Sequence, residues 1–168
     1  MADHILVHLN TVRPLPALTL EHEEVLFFVS QLPTLFNQAD LYGGLLWHKH
    51  ALREDDERYL DPMTAFAGYT PGDRPPNIVT MAGWLGVKEL HGFAHRRRNH
   101  VDGMKKLRNW IDRSEGATMA LWWAEADQDV SLEEGWSRLE RLRKDGPTQE
   151  AFTMQTRFDS PSATRGAA

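Results

Sequence analysis

The stretch from Leu121-Trp122-Trp123 to Ala151-Phe152-Thr153 limits what this chain can fold into more than any other. Met119-Ala120-Leu121-Trp122-Trp123 is apolar at every position, as in a strand buried on both faces, and predicts a central strand. Ser131 precedes a helical pattern with Glu134 three residues on, the spacing of a capping box. Trp136, Leu139 and Leu142 recur at helical spacing as its apolar stripe. Gly146 marks the end of that helix, and Pro147 cannot continue it. Ala151–Phe158 then predicts a fifth strand, with Phe152, Met154, Thr156 and Phe158 on one face.

Four further elements are expected upstream. Ile5–Val12 predicts a strand with Leu6, His8 and Asn10 on one face and Ile5, Val7 and Leu9 on the other. Thr19 is placed to cap a helix over Leu20–Gln38, which Pro33 should kink or divide. Tyr42-Gly43-Gly44 predicts a turn into a second strand, Leu45–His50, and Ile78–Trp84 a third. Val87–Ile111 predicts one long basic helix, with Leu90, Phe93, Val101, Met104, Leu107 and Trp110 facing the core. Between the second and third strands, residues 51–77 are polar and rich in turn residues. Loops this long are often lids or binding loops, and a lid is expected here. The order β-α-β-loop-β-α-β-α-β, with the helices gathered on one sheet face, predicts an α+β ferredoxin-like sandwich. Residues 1–159 are expected to form one domain and 160–168 a disordered tail.

Composition narrows the function classes. A formal charge of −5 argues against a general nucleic-acid binder, and no apolar run approaches a membrane span. Cysteine is absent, which excludes disulfides and thiolate chemistry and suits a reducing cytoplasm. The N-terminus lacks a basic region followed by an apolar stretch, so no signal peptide is expected. Six Trp and seven Phe supply aromatic surface for a large core or for an apolar ligand pocket. Phosphate-binding glycine loops, dinucleotide fingerprints, nucleophile elbows and HExxH are all missing.

The same C-terminal motifs (Leu121-Trp122-Trp123, Ser131-Leu132-Glu133-Glu134, Arg138–Leu142, Gly146-Pro147-Thr148 and Ala151-Phe152-Thr153) resemble a bacterial domain-of-unknown-function family of the dimeric α/β-barrel, antibiotic-biosynthesis-monooxygenase-like superfamily. Trp84, Leu90, Phe93, His100 and Trp110 extend the resemblance, which spans roughly Ile5 to Phe158. Two departures stand out. One extra residue lies between Trp84 and His100, and Ala126-Asp127-Gln128-Asp129 stands where the family tends to carry a Gly-His pair. The resemblance implies a homodimer of two ferredoxin-like sheets, with a small-molecule site between sheet and helices. The superfamily includes cofactor-free quinone-forming monooxygenases, haem-degrading monooxygenases, haem-dependent dehydratases and peroxidases, and isomerases or cyclases; fold alone cannot choose among them.

Three site hypotheses follow. Haem-degrading members of the superfamily use a helix histidine, a strand Trp and an Asn on the first strand. This chain matches those residue types with His100 or His95 as the iron ligand, Trp84 and Asn10, and Arg97 in the Arg96-Arg97-Arg98 run suits a propionate. A non-haem metal site would draw on His91 and His95, four apart on a helix, and His48 and His50, two apart on a strand, with a carboxylate such as Glu89 or Asp102. A cofactor-free site would use His8 or His48 as general base and Asn10 as hydrogen-bond donor, with Trp47, Trp84 and Trp122 holding the substrate. The reading that results is a cytoplasmic, homodimeric small-molecule enzyme. It would carry out oxygenase-type or related redox chemistry on an apolar or aromatic substrate, with haem as a candidate cofactor. A cofactor-free cyclase or isomerase and a non-catalytic ligand-binding domain are the rivals.

Overall fold

The computed structural model describes residues 3–15, 22–60, 75–96 and 110–161. Its elements are β1 (His4–Val12), α1 (Glu23–Tyr42), β2 (Leu45–Arg53), β3 (Tyr59–Leu60), β4 (Asn77–Trp84), α2 (Val87–Arg96), β5 (Met119–Glu125) and α3 (Leu132–Asp145). The strands form one sheet in the order β3-β2-β4-β1-β5, antiparallel at every pairing. Leaving aside the short β3, this is the ferredoxin-like order, and the fold is α+β as the element pattern predicts.

The register sorts the sheet into two faces. On the first, Ile5, Val7 and Leu9 of β1 join Val79, Met81, Ala120, Trp122 and Ala124, and α3 closes over them with Trp136, Leu139 and Leu142. Gly135 lets α3 approach this closely: a Cβ there would lie 2.6 Å from Leu9 Cδ1 and 2.9 Å from Met81 Sδ. Cations finish this face. The Arg53 guanidinium lies 4.0 Å from the Trp136 ring centre, with Arg143 at 5.6 Å, and Arg138 lies 5.2 Å from that of Trp122. On the opposite face, Leu6, Trp84 and Leu121 pack under Ala39 of α1, Leu90 and Phe93 of α2, and Phe152.

Several expectations are corrected. Helices cover both faces of the sheet, not one, because α3 crosses to the side that α1 and α2 leave open. β5 is an edge strand, not a central one. Its two apolar faces are buried by α3 on one side and by the chain after Gly146 on the other. That terminal segment is no regular strand. Phe152 exchanges two backbone hydrogen bonds with Leu121 (2.8 and 2.9 Å), and the chain then turns where Thr153 Oγ1 accepts from Thr156 N. Phe152, Met154 and Phe158 still reach the α1/α2 side of the core, and the Trp123 indole donates to the Phe158 carbonyl at 2.8 Å. Thr156 is exposed.

α1 runs through Pro33 undivided and ends four residues later than expected. The polar run 51–77 is not one loop. Ala51–Arg53 extend β2, and a tight turn over Glu54–Arg58, held by Arg58 to Glu54 and Asp56 at 2.6 Å each, leads into β3. Tyr59 of β3 donates to the Leu132 carbonyl, and burial pushes its phenol above the ordinary range. The rest of the expected lid, residues 61–74, lies outside the described residues, as do Thr19 and the tail beyond Pro161. The basic helix does not reach Ile111, which bridges to Pro14 while Trp110 is buried; 97–109 lie outside the described residues. α3 starts at its expected cap, with Ser131 Oγ accepting from Glu134 N at 3.1 Å. The reciprocal half of the box is not made among the described residues, since Glu134 accepts from Gln128 and Arg138 instead.

Candidate functional site

The α1/α2 face changes character halfway along the strands. Pairing places Leu45, Trp84, Leu6 and Trp123 in one cross-strand row, His48, Ala82, His8 and Leu121 in the next, and His50, Thr80, Asn10 and Met119 in the third. The first row is core. In the second and third, His8, Asn10, Thr80, Ala82, His48 and Met119 are half-buried and His50 is exposed.

Ala82 and Thr80 are small, so they form the floor of a slot. His48 and His50 stand along one side on β2, and His8 and Asn10 along the other on β1. The two walls are about 10 Å apart at their Cα atoms, two strand spacings. Both walls carry polar groups. The His48 and His50 rings stack with centres 6.2 Å apart, and Asp40 of α1 brings a carboxylate oxygen within 4.0 Å of His48 Nε2. The Asn10 amide makes no side-chain hydrogen bond among the described residues; only its backbone carbonyl is used, by Thr80 Oγ1 at 3.5 Å. A half-buried amide without a partner among the described residues, beside an imidazole, is a donor available to a ligand.

The sheet therefore brings His8, His48 and Asn10 together. It does not bring Trp47 or Trp122 to them. Trp47 and Trp122 lie on the α3 face, with Trp122 fully buried. Trp84 shares the slot's face but is buried in the first row against Phe93, with ring centres 5.4 Å apart. It stands four residues from Thr80, the partner of Asn10, or about 13 Å along the strand.

His100 and Arg97 lie outside the described residues, as does the His95 side chain. His91 is exposed and lines a groove with Tyr42, Lys88 and Arg157, none of which belongs to the slot. The described part of α2 thus offers the slot no imidazole, and the described residues do not make up a haem site. Among the described residues, no group of three or more His, Asp or Glu is placed to hold a metal ion.

Thr80 is not among the sequence candidates, and His50 is among them only as a metal ligand beside His48. The signal was present in the strand alternation, but only the β1–β4–β2 register puts them across from Asn10.

The family profile described as "Domain of unknown function (DUF3291)" matches residues 6–167. No curated protein matches the sequence. Among solved structures, the chain is similar to SnoaB, a cofactor-independent oxygenase from Streptomyces nogalater, at 17% identity and a TM-score of 0.40, covering 77% of this chain and 98% of that one. It is similar to a dimeric ferredoxin-like protein of unknown function from Jannaschia sp. CCS1 at 15% identity and a TM-score of 0.43, covering 73% and 99%. A conserved protein from Methanosarcina mazei Go1 is similar at 10% identity and a TM-score of 0.45, covering 73% and 93%.

Proposed function

We propose that this chain, which belongs to the domain-of-unknown-function family DUF3291, is a cofactor-free enzyme of oxygenase type acting on a flat hydroxyaromatic molecule. The observation that carries the reading is the slot, with imidazoles on both sides of a small-residue floor and the Asn10 amide at one corner. One histidine of the His8/His48 pair takes the proton of a phenol or enol, and Asn10 donates to the oxygen left negative. The resulting anion is electron-rich enough to pass one electron to dioxygen. Recombination of the substrate radical with superoxide forms a C–O bond, and proton return gives a carbon hydroperoxide. Loss of the remaining C–H proton with cleavage of the O–O bond then releases water. The balance is a CH2 group plus O2 going to a C=O group plus H2O.

A second reading, proton transfer alone in an isomerase or cyclase, draws on the same pair, since an acid and a base facing each other across a substrate suit a proton shift. Dioxygen separates the two. With anthrone as probe, the expected result is oxygen uptake matched one-to-one by quinone. His8→Ala or His48→Ala should lower the rate about 100-fold or more. Turnover that persists without oxygen would move the assignment to the isomerase. A Soret band and titratable haem binding would move it to haem chemistry through the segment after Arg96. Absence of all three would overturn an enzymatic role for the slot.

A homodimer in a reducing cytoplasm is part of the proposal. Helices pack on both sheet faces within one chain, so the surface offered to a second copy is the part of β2 that β3 does not pair, with the exposed Leu41, Leu46 and Leu85. A monomer on sizing would exclude it.

A further inference from the structure

A groove of about 730 Å³ opens between the end of α1, the first turns of α2 and the terminal segment. Its lining includes Tyr42, Val87, Lys88, His91 and Arg157. It is separate from the slot, which lies on the sheet beyond the Tyr42–Phe93–Trp84 aromatic contacts.

Three observations give the groove a preference. First, Lys88 and Arg157 reach it from different segments, and neither makes an ion pair or hydrogen bond among the described residues. Arg157 is not on a loose end: the next residue, Phe158, is tied by its carbonyl to the Trp123 indole and by its ring to Phe152, at 5.8 Å between centres. Second, the carboxylate among the described lining residues, Glu89, lies against the glycine backbone at the groove's edge. Glu89 lies over Gly86, just before α2, and Gly44, just before β2, so that a Cβ on Gly86 would lie 3.2 Å from its Oε2 and a Cβ on Gly44 2.6 Å from its Cγ. That is the position of an N3 glutamate serving its own helix start. Third, the Tyr42 hydroxyl is held against Gly92, where any Cβ would overlap it, which brings a phenol into the lining beside the two cations.

Two cations lining one groove favour an anion between them, and Tyr42 and Val87 add apolar surface for the body of a ligand. We infer that this groove binds a small organic carboxylate with an aromatic or aliphatic body, at a site distinct from the His8/His48 slot.

Benzoate and its neutral isostere benzamide, titrated into the full chain by calorimetry or NMR, test this. Benzoate should bind at least tenfold more tightly than benzamide. The Lys88→Ala/Arg157→Ala double variant should lose that preference, and Lys88→Arg/Arg157→Lys should keep it. His8→Ala and His48→Ala should leave benzoate binding unchanged, so failure of the slot's proposed chemistry and failure of the groove read out separately. Equal binding of the two probes would overturn the inference. So would benzoate binding that survives the double alanine variant, or that is lost with His8 or His48.

Discussion

On the α3 face, Leu9, Met81 and Trp122 are 0%, 1% and 0% exposed, and Arg53, Arg138 and Arg143 lie against the rings that close it. One residue along the same strands, on the other face, His8, Asn10 and Thr80 are half-buried. The alternation of a strand lets one sheet serve both purposes, since a side chain on one face says nothing about its neighbour. The first face is filled with large apolar groups that leave a ligand no room. The second places small residues under polar ones and stays partly open. If this division is right, substitutions on the α3 face should cost stability, and substitutions in the slot should cost function.

The largest expected effect is at Trp122. Trp122→Ala removes a fully buried indole from beneath Gly135 and Arg138, and should lower unfolding stability by about 3–5 kcal/mol in a denaturant titration. A loss below about 1 kcal/mol would mean that this face is not the packed one.

Gly135→Ala is the sharper test, because propensity and packing oppose each other. In an exposed helix interior this change gains roughly 1 kcal/mol. Here the added methyl meets Leu9 and Met81 below 3 Å and Trp122 at 3.3 Å, so the variant should be about 1–3 kcal/mol less stable than the parent. A variant more stable than the parent would show that α3 rides higher on the sheet than described.

Ser131→Ala should cost about 1 kcal/mol, because the Glu134 N–H loses its acceptor. Thermal or chemical melts resolve a change of that size. Part of the lost cap is replaceable by water, since Ser131 is exposed. The effect should therefore fall below those of the two buried sites.

These residues also show what was readable in the chain. Ser131, the Trp136-Leu139-Leu142 stripe and Gly146 are local signals, written within one helix, and the helix forms where they place it. The β1 alternation likewise predicted which residues share a face. Facts that depend on distant segments were out of reach. Nothing near Trp122 tells a central strand from an edge strand covered on both sides. Arg53 reads as the start of a charged loop until Trp136, far along the chain, is seen beneath its guanidinium. The Ala151–Phe158 alternation suits a strand, yet only Leu121 offers Phe152 a ladder, and the chain turns at Thr153. The slot was half legible. His8, His48 and Asn10 could be chosen by type, but their meeting depends on Ala82 being the residue between them. Trp84 matched by type and strand, and burial against Phe93 sets it apart from Asn10.

Asn10 carries the smallest predicted change in stability and divides the two faces most cleanly. Its side chain is half-buried and donates to nothing among the described residues, so Asn10→Ala breaks no hydrogen bond among them and removes only a small, partly solvated group. The expected change in unfolding free energy is within about 0.5 kcal/mol, the range of substitutions away from packed or bonded positions. Oxygen-dependent turnover of the hydroxyaromatic probe should nevertheless fall about 100-fold or more, as when one donor to a developing oxyanion is lost. Asn10→Asp keeps the shape but presents a carboxylate to that negative oxygen, and should be no more active than the alanine variant. A fall in stability that tracks the fall in rate would make Asn10 part of the scaffold and erase the distinction between the faces. Full activity in both variants would remove the amide from the chemistry and leave the two histidines to account for it alone.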